Sequence, residues 1–192
     1  MKQLVHVHGG EAFDTYEEYL AFLREKVIED PAQQTAPSWR DTYAETLGDE
    51  WDVVKVRMPS SMNAKYDEWA LWFEKYMPYM RNGAVFVGHS LGANFLAKYL
   101  AEHTLPFAVE QLHLVAGCFG TVGGFAMPDS LELVEQQCPN ITLYHSKDDT
   151  IVPITELEKY RAALPSAEVV ILNDRGHFLS GEFPELIERI LQ

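Results

Sequence analysis

The strongest constraint on this chain is an alternation that runs from end to end. Short apolar runs with strand character are separated by segments whose apolar residues recur every three or four positions. The strand-like runs lie at 4–7, 53–56, 84–87, 112–116, 141–145 and 169–172. Helical spacing follows the first of them, with Phe13, Tyr16, Leu20, Leu23 and Val27 on one stripe. It returns in Trp69, Trp72, Phe73, Tyr76 and Met77, from Leu91 to about His103, from about Ser130, over 154–164, and in Phe183, Leu186, Ile187 and Ile190. Strands alternating with helices pair in parallel through right-handed crossovers, with helices on both faces of the sheet. The pattern predicts one domain over residues 1–192, a three-layer α/β/α sandwich around a mostly parallel six-stranded sheet.

Local signals refine this. Asp14 with Glu17, or Thr15 with Glu18, supplies a capping box for the first helix. The polar segment 30–50 carries Pro31 and Pro37 as breakers, and within it Trp39, Tyr43 and Leu47 recur every four residues, predicting a short accessory helix. The aromatic stripe around Trp69 reads as core packing. At 192 residues the chain is shorter than the roughly 250 of a full TIM barrel.

Charge and cysteine usage narrow the function classes. The net charge of −14 argues against non-specific nucleic-acid binding and against docking on anionic lipid, both of which need clustered Lys and Arg. The 47% hydrophobic content excludes a charge-swollen disordered chain. Cys118 and Cys138 form no CxxC pair and read as free thiols, so a cytoplasmic location is expected. Residues 4–7 are too short for a signal-peptide core, and no run approaches the ~18 apolar residues of a membrane span.

In an open α/β sheet, reactive groups belong on loops beyond the carboxyl ends of the strands. After the third strand stands Gly88-His89-Ser90-Leu91-Gly92, a G-x-S-x-G sequence between a strand and a helix. A serine on so sharp a turn needs neighbours without side chains two residues away, which Gly88 and Gly92 satisfy. The turn raises the Ser90 hydroxyl above the sheet, and the helix start offers N–H groups to a developing oxyanion.

Serine is a poor nucleophile until a base takes its proton. Of the seven histidines, His177 sits in a polar turn after the sixth strand, behind Gly176. His6, His8 and His89 precede or adjoin Ser90 and break the chain order serine, acid, histidine. His103 ends a helix, while His113 and His145 belong to strands. Between Ser90 and His177 the acid at a strand end is Asp148 or Asp149. Such an acid holds the imidazole in the required tautomer and stabilises the imidazolium.

With these three loops the chain resembles the α/β-hydrolase superfamily, and within it the small, lid-less serine hydrolases of the retinoblastoma-binding protein nine type. The resemblance spans nearly the whole chain. It implies the strand order 2-1-3-4-5-6. The superfamily's D-x-x-V-P pattern matches Asp149-Thr150-Ile151-Val152-Pro153, which implies Asp149 as the acid and Asp148 as a turn or supporting residue. His8-Gly9-Gly10 is similar to its H-G turn, implying oxyanion donors at the N–H of Leu91 and of Gly9 or Gly10. Lids often enter after the fourth strand, where 117–129 leaves no room for a sizeable one. Cys118, Phe119, Phe125 and Met127 there either line an acyl pocket or pack the loop down.

The function this implies is hydrolysis of a small neutral ester or related acyl compound through an acyl-enzyme on Ser90, without cofactor or metal. The partner expected is a small-molecule acyl substrate, and nothing in the sequence points to a protein partner. Neutral substrates are favoured because −14 repels strongly anionic ones, unless basic groups near the site offset it. Two other classes compete. His6-Val7-His8 would put two imidazoles on one strand face as metal ligands, and the fold could serve as a catalytically silent binding protein.

Overall fold

The computed structural model describes residues 1–28, 37–120 and 122–192; Pro31 and the first residues of the 30–50 segment, and Thr121 of the 117–124 loop, lie outside the described residues. Six strands form one sheet: β1 (Lys2–Val7), β2 (Trp51–Val56), β3 (Ala84–His89), β4 (Val109–Val115), β5 (Asn140–Ser146) and β6 (Glu168–Leu172), in the order 2-1-3-4-5-6. Every neighbouring pair is parallel. The order reverses between β1 and β3, the kind of switch point where open sheets bind ligands.

The helices are α1 (Tyr16–Glu25), α2 (Tyr43–Leu47), α3 (Tyr66–Glu74), α4 (Leu91–Glu102), α5 (Glu132–Gln137), α6 (Thr155–Ala163) and α7 (Pro184–Ile190). One core lies under α3, α4, α5 and α6, where Trp69, Phe73, Phe95 and Leu100 meet Val5, Phe86 and Leu112 of the sheet. The opposite core lies under α2 and α7, where Trp39, Tyr43, Leu186 and Ile190 meet Leu4, Val85, Val87 and Tyr144. The inner strands are buried on both faces, as β3 shows throughout its length. The accessory helix predicted from Trp39, Tyr43 and Leu47 is therefore a covering helix of the second face, begun at Tyr43.

The stripe after β1 behaves differently from its prediction. The Thr15–Glu18 capping box forms, with Glu18 N–H donating to Thr15 Oγ1 at 3.2 Å and Thr15 N–H to Glu18 Oε2 at 2.9 Å. Yet α1 stops at Glu25, before Val27, and buries no residue. Periodicity gave the helix but not its neighbour: α2 and α7 already fill the sheet face that α1 would have covered. The strand pair His6 and His8 is also corrected. β1 ends at Val7, so His8 is free of the pleat; His6 points to Tyr43 and Trp39, and His8 packs edge-on to Trp69 in the opposite core. They do not converge on a common point.

Phe73 is fully buried where α3 crosses the sheet, with its ring against Phe86, Phe95 and Tyr99. Phe73→Ala should cost about 3–5 kcal/mol by opening a cavity that three aromatic neighbours cannot fill, measured as a fall in the urea midpoint at unchanged slope.

Candidate active site

Strand register brings the predicted loops to one edge. Val7 pairs with Gly88, His89 with Val115 and Ser146 with Leu172, so these strands end close to level. From that edge rise the His8–Gly10 turn, the serine elbow, the acid loop and the His177 loop. They surround a cleft of about 670 Å³.

Ser90 has φ 56° and ψ −123°, a left-handed conformation costly for a residue with a side chain. The two flanking glycines make it possible. A Cβ at Gly88 would fall 2.6 Å from the Ala93 Cα, and one at Gly92 would fall 2.3 Å from the Val7 carbonyl oxygen. The Ser90 N–H donates to the Val115 carbonyl at 2.8 Å, tying the elbow to the end of β4. Leu91 opens α4, so its N–H belongs to the first turn, where helix donors have no partner within the helix.

Gly9 touches the elbow. A Cβ there would lie 2.9 Å from the Ser90 Cβ and 3.4 Å from Oγ. Gly10 instead abuts the Ser61 carbonyl and Trp69, and Glu11 N–H donates to Ser61 O at 2.8 Å. His8 braces the turn: its Nε2 accepts from the Met58 N–H at 2.9 Å, which leaves Nδ1–H to donate to the Gly9 carbonyl at 2.6 Å.

His177 and Asp149 meet across the loops after β6 and β5. His177 Nδ1 lies 2.8 Å from Asp149 Oδ2, and Asp149 Oδ1 accepts from the N–H groups of Ile151 and Val152 at 2.9 Å each. The carboxylate is buried and each oxygen is occupied. His145 lies behind it, donating from Nε2 to the Val152 carbonyl at 2.9 Å. Asp148 points elsewhere. Its Oδ1 accepts from the Ser146 hydroxyl at 2.5 Å and from the Gly176 N–H at 2.9 Å. The Ser146 hydroxyl oxygen in turn accepts from the Arg175 N–H at 2.9 Å. Adjacent aspartates thus divide the work, one on the imidazole and one on the backbone that carries it.

Ser90 and His177 both line the cleft, joined there by Cys118 and Phe125. Phe119 packs its ring on Tyr160 and Met127 packs on the core, so the 117–129 residues serve pocket and loop alike. Both cysteines are free thiols, and burial pushes Cys118 up to about 11 and Cys138 up to about 12. Three contributions were not foreseen. Phe22 and Lys26, from α1 and its cap, form one wall, so the helix that misses the sheet borders the site instead. Arg40 lies at the cleft and donates to the Leu179 carbonyl at 2.8 Å. His89, beside the nucleophile candidate, donates from Nε2 to the His177 carbonyl at 2.8 Å.

An all-parallel sheet of this order, with a serine elbow after its third strand, defines an α/β-hydrolase fold. Residues 33–185 match the serine hydrolase family model, and the chain belongs to that family. It is 29% identical over 145 residues to serine hydrolase RBBP9 of Rattus norvegicus, covering 71% of this chain and 75% of that protein. The fold is shared with the ydeN gene product of B. subtilis (TM-score 0.72, 18% identity, covering 100% of this chain and 97% of that one). It is shared too with the esterase EaEST from Exiguobacterium antarcticum (TM-score 0.61, 13% identity, covering 100% and 91%). The protein is therefore a hydrolase. Among the described residues no helix is long and apolar enough to cross a membrane.

The two bonds to Asp148, first from Ser146 and then from Gly176, hold its carboxyl below the usual carboxylate range. A depressed folded-state value contributes stability above the ordinary aspartate pKa and loses it as pH falls through the folded value. Asp148→Asn should lower Tm at pH 7, with the difference from wild type shrinking below about pH 4; thermal unfolding across pH checks this.

Proposed function

We propose that the chain hydrolyses a small neutral ester or related acyl compound through an acyl-enzyme on Ser90. The observation that carries the reading is the 2.8 Å bond between His177 and Asp149 in the same cleft as a serine on a left-handed elbow. Ser90 Oγ attacks the carbonyl carbon while His177 Nε2 takes its proton. The bond to Asp149 keeps the other imidazole nitrogen protonated and stabilises the cation that forms. The step requires the Ser90 hydroxyl to come within hydrogen-bond reach of His177 Nε2, a contact that such sites often complete only when substrate is bound. The oxyanion is received by the N–H of Leu91 and by that of Gly9 or Gly10. His177 then protonates the leaving group and activates the water that releases the acid. Loss of one oxyanion donor from such a site costs on the order of 10²–10³ in turnover.

A cleft of about 670 Å³ suits a small ligand. An esterase among the fold neighbours supports an ester as the first substrate to test. At the cleft the charges of Lys26 and Glu11 oppose one another, and the Leu179 carbonyl holds Arg40 in the wall. This favours a substrate without strong charge. The free cysteines support a reducing, cytoplasmic setting.

Wild type should react with a fluorophosphonate and hydrolyse a short p-nitrophenyl ester, and Ser90→Ala should do neither. A mutant labelled as well as wild type would remove the assignment. A wild type that is inert to both would leave a non-catalytic binding protein. Asp149→Ala should reduce kcat by about 10⁴ and far more than Asp148→Ala does; the reverse order would transfer the acid role.

A further inference from the structure

The loop that carries His177 leaves the end of β6 and meets the residues before α2 through an isolated parallel bridge between Ser38 and Gly181. Its backbone is also strained: Gly176 has φ 50° and Phe178, a residue with a side chain, has φ 55°. A left-handed phenylalanine costs on the order of 1–3 kcal/mol and persists only where its surroundings over-determine it. Those surroundings are specific. The carbonyls of His177, Phe178 and Leu179 are successive, and each accepts from a different side chain. His89 Nε2–H donates to the first at 2.8 Å, the Trp39 indole N–H to the second at 2.9 Å, and Arg40 Nη2 to the third at 2.8 Å.

The three donors also hold one another. The Trp39 ring meets the His89 ring edge-on at 5.8 Å, and Arg40 Nη1 lies 3.5 Å from His89 Nδ1. Arg40 Nε donates to the Ser38 hydroxyl at 3.1 Å. The backbone continues the tie, with the Trp39 N–H donating to the Gly181 carbonyl at 2.9 Å. Burial, with His177 and Arg40 nearby, pushes His89 down to about 3. It stays neutral at working pH, with its proton on Nε2 and a lone pair on Nδ1 toward Arg40.

We infer that Trp39, His89 and Arg40 are positioning residues that set where His177 stands relative to Ser90. The inference rests on His177 being the base of the reaction proposed above. His89, the last residue of β3, adjoins Ser90 in the chain and donates to the His177 carbonyl, so it links nucleophile and base directly. Trp39 and Arg40 give the residues that lead into α2 a part in the reaction, beyond covering the second face of the sheet. Small displacements of reacting groups cost large factors in rate, so losing a donor from this brace should appear in turnover rather than in substrate binding.

The test compares His89→Leu, His89→Gln and Trp39→Phe with wild type for steady-state hydrolysis of p-nitrophenyl acetate, with folding followed by thermal unfolding. His89→Leu should lower kcat at least tenfold while KM changes less than twofold. His89→Gln, whose amide N–H can reach the same carbonyl, should recover most of that loss. Trp39→Phe keeps an aromatic ring in the core and removes only the donor; it should fold and still lower kcat severalfold, so it decides the matter if His89→Leu does not fold. Unchanged kcat in Trp39→Phe, or a glutamine variant as slow as the leucine one, overturns the brace and leaves the proposed function standing. A wild type that neither turns over the ester nor takes a fluorophosphonate on Ser90 overturns the underlying reading instead.

Discussion

A left-handed serine can sit between a strand and a helix only if the chain on either side makes room, and in this protein that room is made by two missing side chains. Gly88 lets the backbone double back over Ala93, and Gly92 lets α4 rest against the carbonyls of Val7 and His8. The second contact has the wider reach. By seating α4 on the end of β1 it brings the His8–Gly9 turn against Ser90, while the Ser90 N–H reaches the end of β4. Three central strands therefore terminate on one residue. The sheet order with its reversal between β1 and β3 leaves the crevice that this junction occupies.

Around the elbow, groups of the same chemical type are assigned different work by their neighbours. Asp149 is buried, takes two backbone N–H groups on one oxygen and presents the other to His177; Asp148 is exposed and ties the loop backbone. Histidines divide in the same way. His8 fixes the glycine turn, His145 stands behind the acid, His89 holds the His177 carbonyl, and the His177 side chain is bonded to a carboxylate at the cleft. Buried imidazoles kept neutral, such as His89 and His113, act as shaped hydrogen-bonding groups rather than as charges.

Much of this was legible before folding because it depends on short-range steric rules. A strand, two glycines about a serine and an apolar helix specify a turn with little dependence on the rest of the chain. Asp149 was distinguishable from Asp148 through family resemblance to D-x-x-V-P, and the structure supplies a physical counterpart: the N–H groups of Ile151 and Val152 orient the carboxylate. The departure from the sequence reading came from long-range competition. The stripe from Phe13 to Val27 has the period of a sheet-covering helix, yet that face is taken by Trp39, Tyr43 and the α7 residues. His6 and His8, weighed only as a competing metal pair, are parted because the strand stops between them.

The sequence by itself determined the alternation of strands and helices, the position of the elbow and the strand-end loops that carry Ser90, Asp149 and His177. These rest on periodicity and on the space around a backbone, which neighbours in the chain largely dictate. Only the tertiary structure decided that α1 borders the cleft, that Gly9 lies against the serine, and that Trp39, Arg40 and His89 grip successive carbonyls of the His177 loop. Trp39 and Phe178 are 139 residues apart. No local pattern encodes a hydrogen bond across that distance, because it exists only once the sheet has brought both ends of the chain to the same edge.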